Sequence, residues 1–373
     1  MEAESDTSSV SRPINRHDQR SAMWHKLDQR ASPYLYISPF YILFAIVGLF
    51  PLIFTAYIAT RQWNISKNNL GPAICGATCP SIGTSPHWYA NFLWVLNQPD
   101  FWTALRNTIG IFLISTIPQL ILALIIAYVL SANLRGRTFW RMGVLLPYVL
   151  APMALAIIFT QVFADQMGLV NTILTWLHLP TVAWHSNMLG SWIAIAVIVN
   201  VRWTGYNSLI MLAAMQAIPQ ELIEAAEVDG ASRIRQLLFV TVPQLRPTLI
   251  FVIITSTIGG LQIFDEPQMF SISSNYGGSS KQFLTVTQFL WKTGFVTQND
   301  SNMGRAAAIA WLLFIIVIIL VALNFLLTRR ISSGDEPKAT RAQRDAAKLL
   351  ARQAKSARQA AITATRVTAK GDN

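Results

Sequence analysis

Few residues in this chain stand where covalent or acid–base chemistry could be done. The five histidines, His17, His25, His87, His178 and His185, are scattered, and no His-Glu-x-x-His pair sets two metal ligands on one helical face. No Gly-x-Ser-x-Gly elbow presents a nucleophile, and no P-loop glycine pattern could cradle nucleotide phosphates. The two cysteines, Cys75 and Cys79 in CGATC, lack the neighbouring ligands a metal would need. Their spacing is compatible with a tight disulfide in an oxidising compartment and equally with two free thiols. What remains is recognition chemistry: Arg202, Trp203, Tyr206 and Asn207 in NVRWTGYNS, and further on Ser256, Gly259, Gly260 and Gln262. Aromatic faces can stack on a flat or ring-shaped solute, while amides and hydroxyls hydrogen-bond it. The same aromatics would equally suit helix packing or an interfacial anchor, and the paired glycines a close helix crossing.

The elements that must position these residues belong in a bilayer. Of the 373 residues 53% are hydrophobic and 13% charged, about half the charged share of a soluble domain. A hydrocarbon core of ~30 Å takes about 20 apolar residues per helix. Six runs meet or approach that length: Tyr34 to Thr60, Thr108 to Leu130, Met142 to Phe163, Met188 to Met215, Thr248 to Phe264 and Ala306 to Thr328. The first is too long for a signal-peptide core and is expected to be an uncleaved span. The expectation is an all-α integral membrane protein with six transmembrane helices.

The net charge of +11 points to topology rather than to nucleic acid, because the basic residues sit in blocks at the ends of apolar runs. With both termini inside, 22 of the 29 Lys and Arg fall on internal segments: before Tyr34, from Ser131 to Arg141, from Met215 to Pro247, and from Arg329 onward. The positive-inside rule then places both termini and the stretch Glu224 to Pro247 in the cytoplasm.

Ions inside hydrocarbon are expensive and so usually functional. Within the six runs Arg202 is the only ionisable side chain; Asp165 and Asp265 lie just beyond span ends, where a solvated interface accounts for them. A proton- or sodium-coupled carrier would need buried carboxylates for its driving ion. Uphill transport by this chain would therefore draw its energy from another subunit.

The cytoplasmic stretch QAIPQELIEAAEVDGASRIRQLLFVTVPQLRP reads as two short helices. Pro219 suits a first helical turn, Glu221 and Glu224 favour its positive end, and Gly230 sits where a terminating glycine releases the chain. The second helix starts near Ala231, carries Arg233 and Arg235, and is expected to stop before Pro243. The small residues Ala225 and Ala226 would let another protein approach the backbone closely. Local physics alone is compatible both with such docking and with an amphipathic helix lying on lipid.

The spacing in this stretch resembles the EAA motif of binding-protein-dependent ABC importer permeases. Glu224-Ala225-Ala226 is followed by three residues, Gly230, nine residues, Val240, one residue and Val242-Pro243; valines replace the usual isoleucine and leucine. ALRNTIGIFL at 104–113, GLVNTILTWLHLP at 168–180 and FDEPQMFSISSNYGGSS at 264–280 are similar to the carbohydrate-uptake branch, the maltose- and glycerol-phosphate-type permeases. Gly277-Gly278-Ser279 stands where that branch has Gly-Gly-Pro.

The resemblance implies a type I permease with a cytoplasmic coupling-helix loop at 219–247, in which Glu224, Ala225, Ala226, Asp229, Gly230 and Pro243 serve ATPase coupling. It implies the following partners: a second homologous permease, a cytoplasmic ABC ATPase dimer, an extracytoplasmic solute-binding protein, a sugar and the lipids of a bacterial cell membrane. It implies no enzymatic activity and no cofactor on this chain, ATP being used by the partner subunits. The spans flanking the loop would hold cargo, which places Arg202, Trp203, Tyr206, Asn207 and Ser256 in the pathway. Arg202 could then face an anionic cargo of the glycerol-phosphate kind or pair with a neighbouring chain. An ATP-independent facilitator or a membrane scaffold remains as an alternative that leaves the EAA spacing unexplained. The domains are thus a basic N-terminal segment at 1–33, the permease at 34–330 and a basic Ala/Arg-rich tail at 331–373.

Overall fold

The computed structural model describes residues 32, 34–64, 69–75, 85–132, 135–271, 276–296 and 302–333, with 345–346, 348–350 and 352–356 of the tail. The basic N-terminal segment and Cys79 lie outside the described residues. Two compact units form, one from residues 1–97 and 293–311 and the other from 98–292 and 312–373.

In the first unit α1 (Tyr34–Ala59) is followed by a two-stranded antiparallel hairpin, β1 (Arg61–Asn64) and β2 (Asn69–Pro72), and by α2 (Ala90–Leu96). The hairpin is the one departure from all-helical structure among the described residues, a local pairing too short to carry a periodicity signal. Buried Asn91 ties α2 back to the end of α1, its Nδ2 donating to the Ala59 and Arg61 carbonyls at 2.9 and 2.7 Å. Cys75 is disulfide-bonded, which decides between the two states its spacing allows.

The second unit holds α3 (Pro99–Ser131), α4 (Arg137–Val149), α5 (Pro152–Val162), α6 (Leu169–Trp176) and α7 (Met188–Gln216). Next come α8 (Gln220–Val228), α9 (Arg233–Gln244), α10 (Arg246–Leu261), α11 (Asp265–Phe270) and α12 (Val286–Trp291). The last helix, α13 (Met303–Ser333), begins in the first unit and continues in the second. Four helices, α1, α3, α7 and α13, are each long and apolar enough to cross a membrane, and two bent pairs raise the number to six.

One run is broken, and another is preceded by a bend. Met142 to Phe163 is broken between α4 and α5 with a bend of 91°. Ala151 precedes Pro152 and adopts ψ 131°, because a proline ring pushes the residue before it out of the helical region. The fifth span is preceded by α9, which meets α10 at 76°.

The expectation that α9 stops before Pro243 is overturned. A π turn over Leu237–Thr241 lets the helix run through the proline to Gln244, the Val242 N–H reaching back five residues to Leu237 O. A helical proline clashes with the carbonyl four residues earlier. Here that residue, Phe239, lies inside the widened turn. The same arrangement recurs in α1, where a π turn over Ala45–Leu49 precedes Pro51.

Helices in the second unit cross closely at small residues, as is common where water does not drive association. A Cβ on Gly110 of α3 would collide with the Trp192 ring of α7, and one on Gly260 of α10 with Phe112. Gly260 is therefore a helix crossing, whereas Gly259 faces open space. A Cβ on Gly205 would run into the Val144 carbonyl, so α4 lies directly against α7. Two cores result. One gathers Ile111, Trp192, Ile195, Ile198, Phe270 and Phe283, and the other Ala127, Leu130, Met211, Met215 and Leu245 near the helix ends that lead into α8.

The loop before α12 is built into the first of these cores. Gly277 and Gly278 have φ +78° and +86°, and neither position has room for a side chain. Asn107 Nδ2 donates to the Lys281 and Leu284 carbonyls at 2.8 and 3.1 Å, and Trp192 Nε1 to the Gln282 carbonyl at 2.9 Å. The serine at 279 where the resembling branch has proline thus still permits a defined turn.

Candidate functional site

Helix α8 buries none of its residues. Pro219 is its N-cap, one position earlier than the first turn, and Glu221 occupies that turn. Its end is a Schellman motif: the Ala231 N–H reaches Ala226 O at 2.9 Å and the Gly230 N–H reaches Glu227 O at 3.0 Å. Gly230 supplies the left-handed residue this requires, with φ +73°. The glycine expected to release the helix does so.

Glu224, Ala225, Asp229 and Gly230 are exposed and Ala226 is half-buried. Ala226 and Asp229 line a hollow of about 390 Å³ with Arg235 and Phe239, the latter 75% exposed. Val228 is 89% exposed. On the other side a cavity of about 900 Å³, lined by Tyr128, Gln216, Glu227, Arg233 and Gln236, separates α8 from the ends of α3 and α7. Two hydrogen bonds hold the surround: Tyr128 Oη to Arg233 O at 3.1 Å and buried Gln236 Nε2 to Ala231 O at 2.9 Å. The arrangement is a short, rigidly terminated helix offering small and acidic side chains to whatever lies beside it. Pro243 is not part of that face; it lies in the following helix, after the π turn.

The second group of expected residues lies in the helical bundle. Trp203 and Tyr206 of α7 meet a residue that the sequence did not single out, Tyr148 of α4. Tyr148 stacks on Tyr206 with centroids 4.7 Å apart and planes at 16°, and meets the Trp203 ring edge-on at 5.5 Å. The close approach of Gly205 to Val144, one turn before Tyr148, is what brings that ring into range. Only the long-range contact between α4 and α7 could have revealed it.

Asn207 Nδ2 donates to Ser256 Oγ at 3.0 Å, joining α7 to α10. Arg202 also pairs within its own chain, its Nη1 donating to Glu266 Oε1 at 3.0 Å. The Glu266 side chain is 4% exposed and that of Arg202 18%. The Arg202 guanidinium also lies 5.2 Å from the Trp203 ring centroid, and its Nε has no hydrogen-bond partner. Glu266 was legible only as the acid next to Asp265. Asp165 likewise does more than face solvent, its Oδ1 accepting the His185 backbone N–H at 3.0 Å.

Five of the candidate residues, Arg202, Trp203, Tyr206, Asn207 and Ser256, thus converge on one part of the bundle. Glu224 to Gly230 converge on a separate exposed helix. Among the described residues no group of His, Cys, Asp or Glu could hold a metal ion.

Over 310 residues the chain is 29% identical to the arabinooligosaccharides transport system permease protein AraP of Halalkalibacterium halodurans, covering 83% of this chain and 91% of that relative. It is 31% identical over 242 residues to the lactose transport system permease protein LacF of Rhizobium radiobacter, covering 64% and 80%. The fold is shared with a bacterial ABC transporter involved in the import of the acidic polysaccharide alginate, at a TM-score of 0.65 and 19% identity, covering 83% of this chain and 99% of that one. Residues 108–333, more than half of the chain and including α7, α8 and α9, match the family described as binding-protein-dependent transport system inner membrane component, and the chain belongs to that family of multi-pass membrane permeases.

Proposed function

We propose that this chain is one of the two permease subunits of an ATP-driven importer of sugars or oligosaccharides. A second, homologous permease completes the pathway, two cytoplasmic ATPase subunits hydrolyse ATP, and an extracytoplasmic binding protein delivers the cargo. The chain itself binds no cofactor, both its termini are cytoplasmic, and nucleic acid is not a partner. The observation that carries the reading is α8, an exposed helix closed by a Schellman turn at Gly230. A helix that buries nothing of its own yet ends in a defined turn is suited to transmit force to a protein partner. Glu224 is the charged contact, Ala225 and Ala226 permit close approach, Asp229 and Gly230 shape the turn, and Pro243 lies in the helix that carries displacement into α10. Nucleotide-dependent closure of the ATPases would then shift the population of inward- and outward-facing arrangements.

The saccharide assignment is supported by the relatives' cargoes and by the aromatic and amide character of the Tyr148, Trp203, Tyr206, Asn207 and Ser256 region. The test is copurification from mild detergent, comparing wild type with Glu224→Lys and identifying partners by mass. An ATPase and a second permease should accompany the wild type, with the ATPase depleted and membrane insertion unchanged in the variant. Recovery of the chain alone from both samples would favour an ATP-independent facilitator.

A further inference from the structure

We propose that Glu266 is a specificity-determining residue: by neutralising Arg202 it makes this permease accept uncharged saccharides and reject anionic ones. The inference rests on the proposed saccharide pathway and adds the charge class of the cargo. Neither the fold nor the family decides that class, since a permease of the same fold serves an importer of an acidic polysaccharide.

Arg202 is the one cation in α7, and it lies in the middle of that helix. An arginine at bilayer depth is retained only with a partner or a wet cavity around it. Left alone beside Trp203, Tyr206 and Tyr148, Arg202 would be an anion receptor: guanidinium groups bind carboxylates and phosphates through parallel N–H donors. In this chain that role is taken internally. Nη1 donates to Glu266 Oε1 at 3.0 Å, and Glu266 is almost fully buried at the start of α11. Among the described residues no other ion pair involves Arg202.

Arg202 keeps its flat face 5.2 Å from the Trp203 centroid, while its Nε–H is buried and without a partner. A neutral hydroxyl brings no charge to a site that the Glu266 carboxylate has already balanced. A carboxylate or phosphate would place a second anion beside Glu266, and like charges at short range in a poorly solvated site repel strongly. The pair is therefore a charge filter rather than a receptor, with the adjoining aromatic rings as the surface on which an uncharged ring can lie.

The test uses the full-length chain in nanodiscs, together with the subunits that copurify with it. Equilibrium binding is measured for labelled neutral oligosaccharides of pentose and hexose and for the matching uronic-acid oligosaccharides. Direct binding avoids selection by the binding protein. The wild type should bind neutral members more tightly than the uronates, with both affinities measurable. Glu266→Gln should raise the affinity ratio of uronate to neutral ligand by at least ~10-fold, and raising salt should diminish the gain. The double variant Arg202→Gln with Glu266→Gln removes both charges and should return the ratio to that of the wild type, which separates charge from folding. If Glu266→Gln lowers both affinities equally while the double variant restores both, the pair is a structural clamp and the inference fails. If Glu266→Gln does not fold, Arg202→Gln takes its place: the ratio should fall further, and an unchanged ratio overturns the proposal. Wild type that binds no saccharide of either kind would overturn the saccharide reading itself.

Discussion

Replacing Gly230 by alanine, asparagine and valine separates backbone strain from side-chain bulk at the end of α8. Gly230 has φ +73°, and a Cβ built there meets nothing within 4 Å. Added volume therefore finds no obstacle within the chain, and the whole effect is conformational. Holding an ordinary L-residue in the left-handed region costs about 1–2 kcal/mol. Asparagine tolerates the region better, while a β-branched residue is a true outlier there. A loss of that size lowers the preference for the closed turn by about 5–30-fold. Coupling should then decline in the order Gly, Asn, Ala, Val, whereas a dependence on bulk would give Gly, Ala, Asn, Val. The assay is the amount of ATPase recovered with each variant, together with ATP hydrolysis stimulated by the binding protein. Alanine performing better than asparagine would refute the strain argument and show that the partner senses volume at this position.

Two further substitutions probe the bundle. Asn107→Ala removes both hydrogen bonds to the Lys281 and Leu284 carbonyls and leaves buried acceptors unpaired, a loss of about 1–3 kcal/mol; thermal unfolding in detergent should occur at lower temperature, with faster proteolysis within 276–285. Tyr148→Ala withdraws the ring stacked on Tyr206, and such a pair is worth about 0.5–1.5 kcal/mol beyond its area. Sugar uptake should drop by about 2–10-fold with ATPase recovery unchanged, and Tyr148→Phe should retain uptake; equal loss in both variants would count against a role for the ring face.

The amino-acid sequence by itself determined the parts whose signals are local. Apolar runs of membrane length set four long helices, and up to six spans if each bent pair is one, because the bilayer thickness imposes a length. The spacing from Glu224 to Gly230 set an exposed helix and its terminator, because a Schellman turn needs a residue free to adopt positive φ at a fixed place after the last turn.

Tertiary structure decided what depends on elements far apart in the chain. Pro152 could be read as a risk to the third span, but the 91° break depends on how α4 and α5 each pack. Pro243 read as a stop, yet a π turn absorbs it, a choice available only because α9 and α10 are both held by the core around Leu245. The pairing of Arg202 with Glu266 spans 64 residues, and Tyr148 reaches Tyr206 only through the approach of Val144 to Gly205. Local spacing carries no record of such distances, because they are fixed by which small residues let which backbones meet.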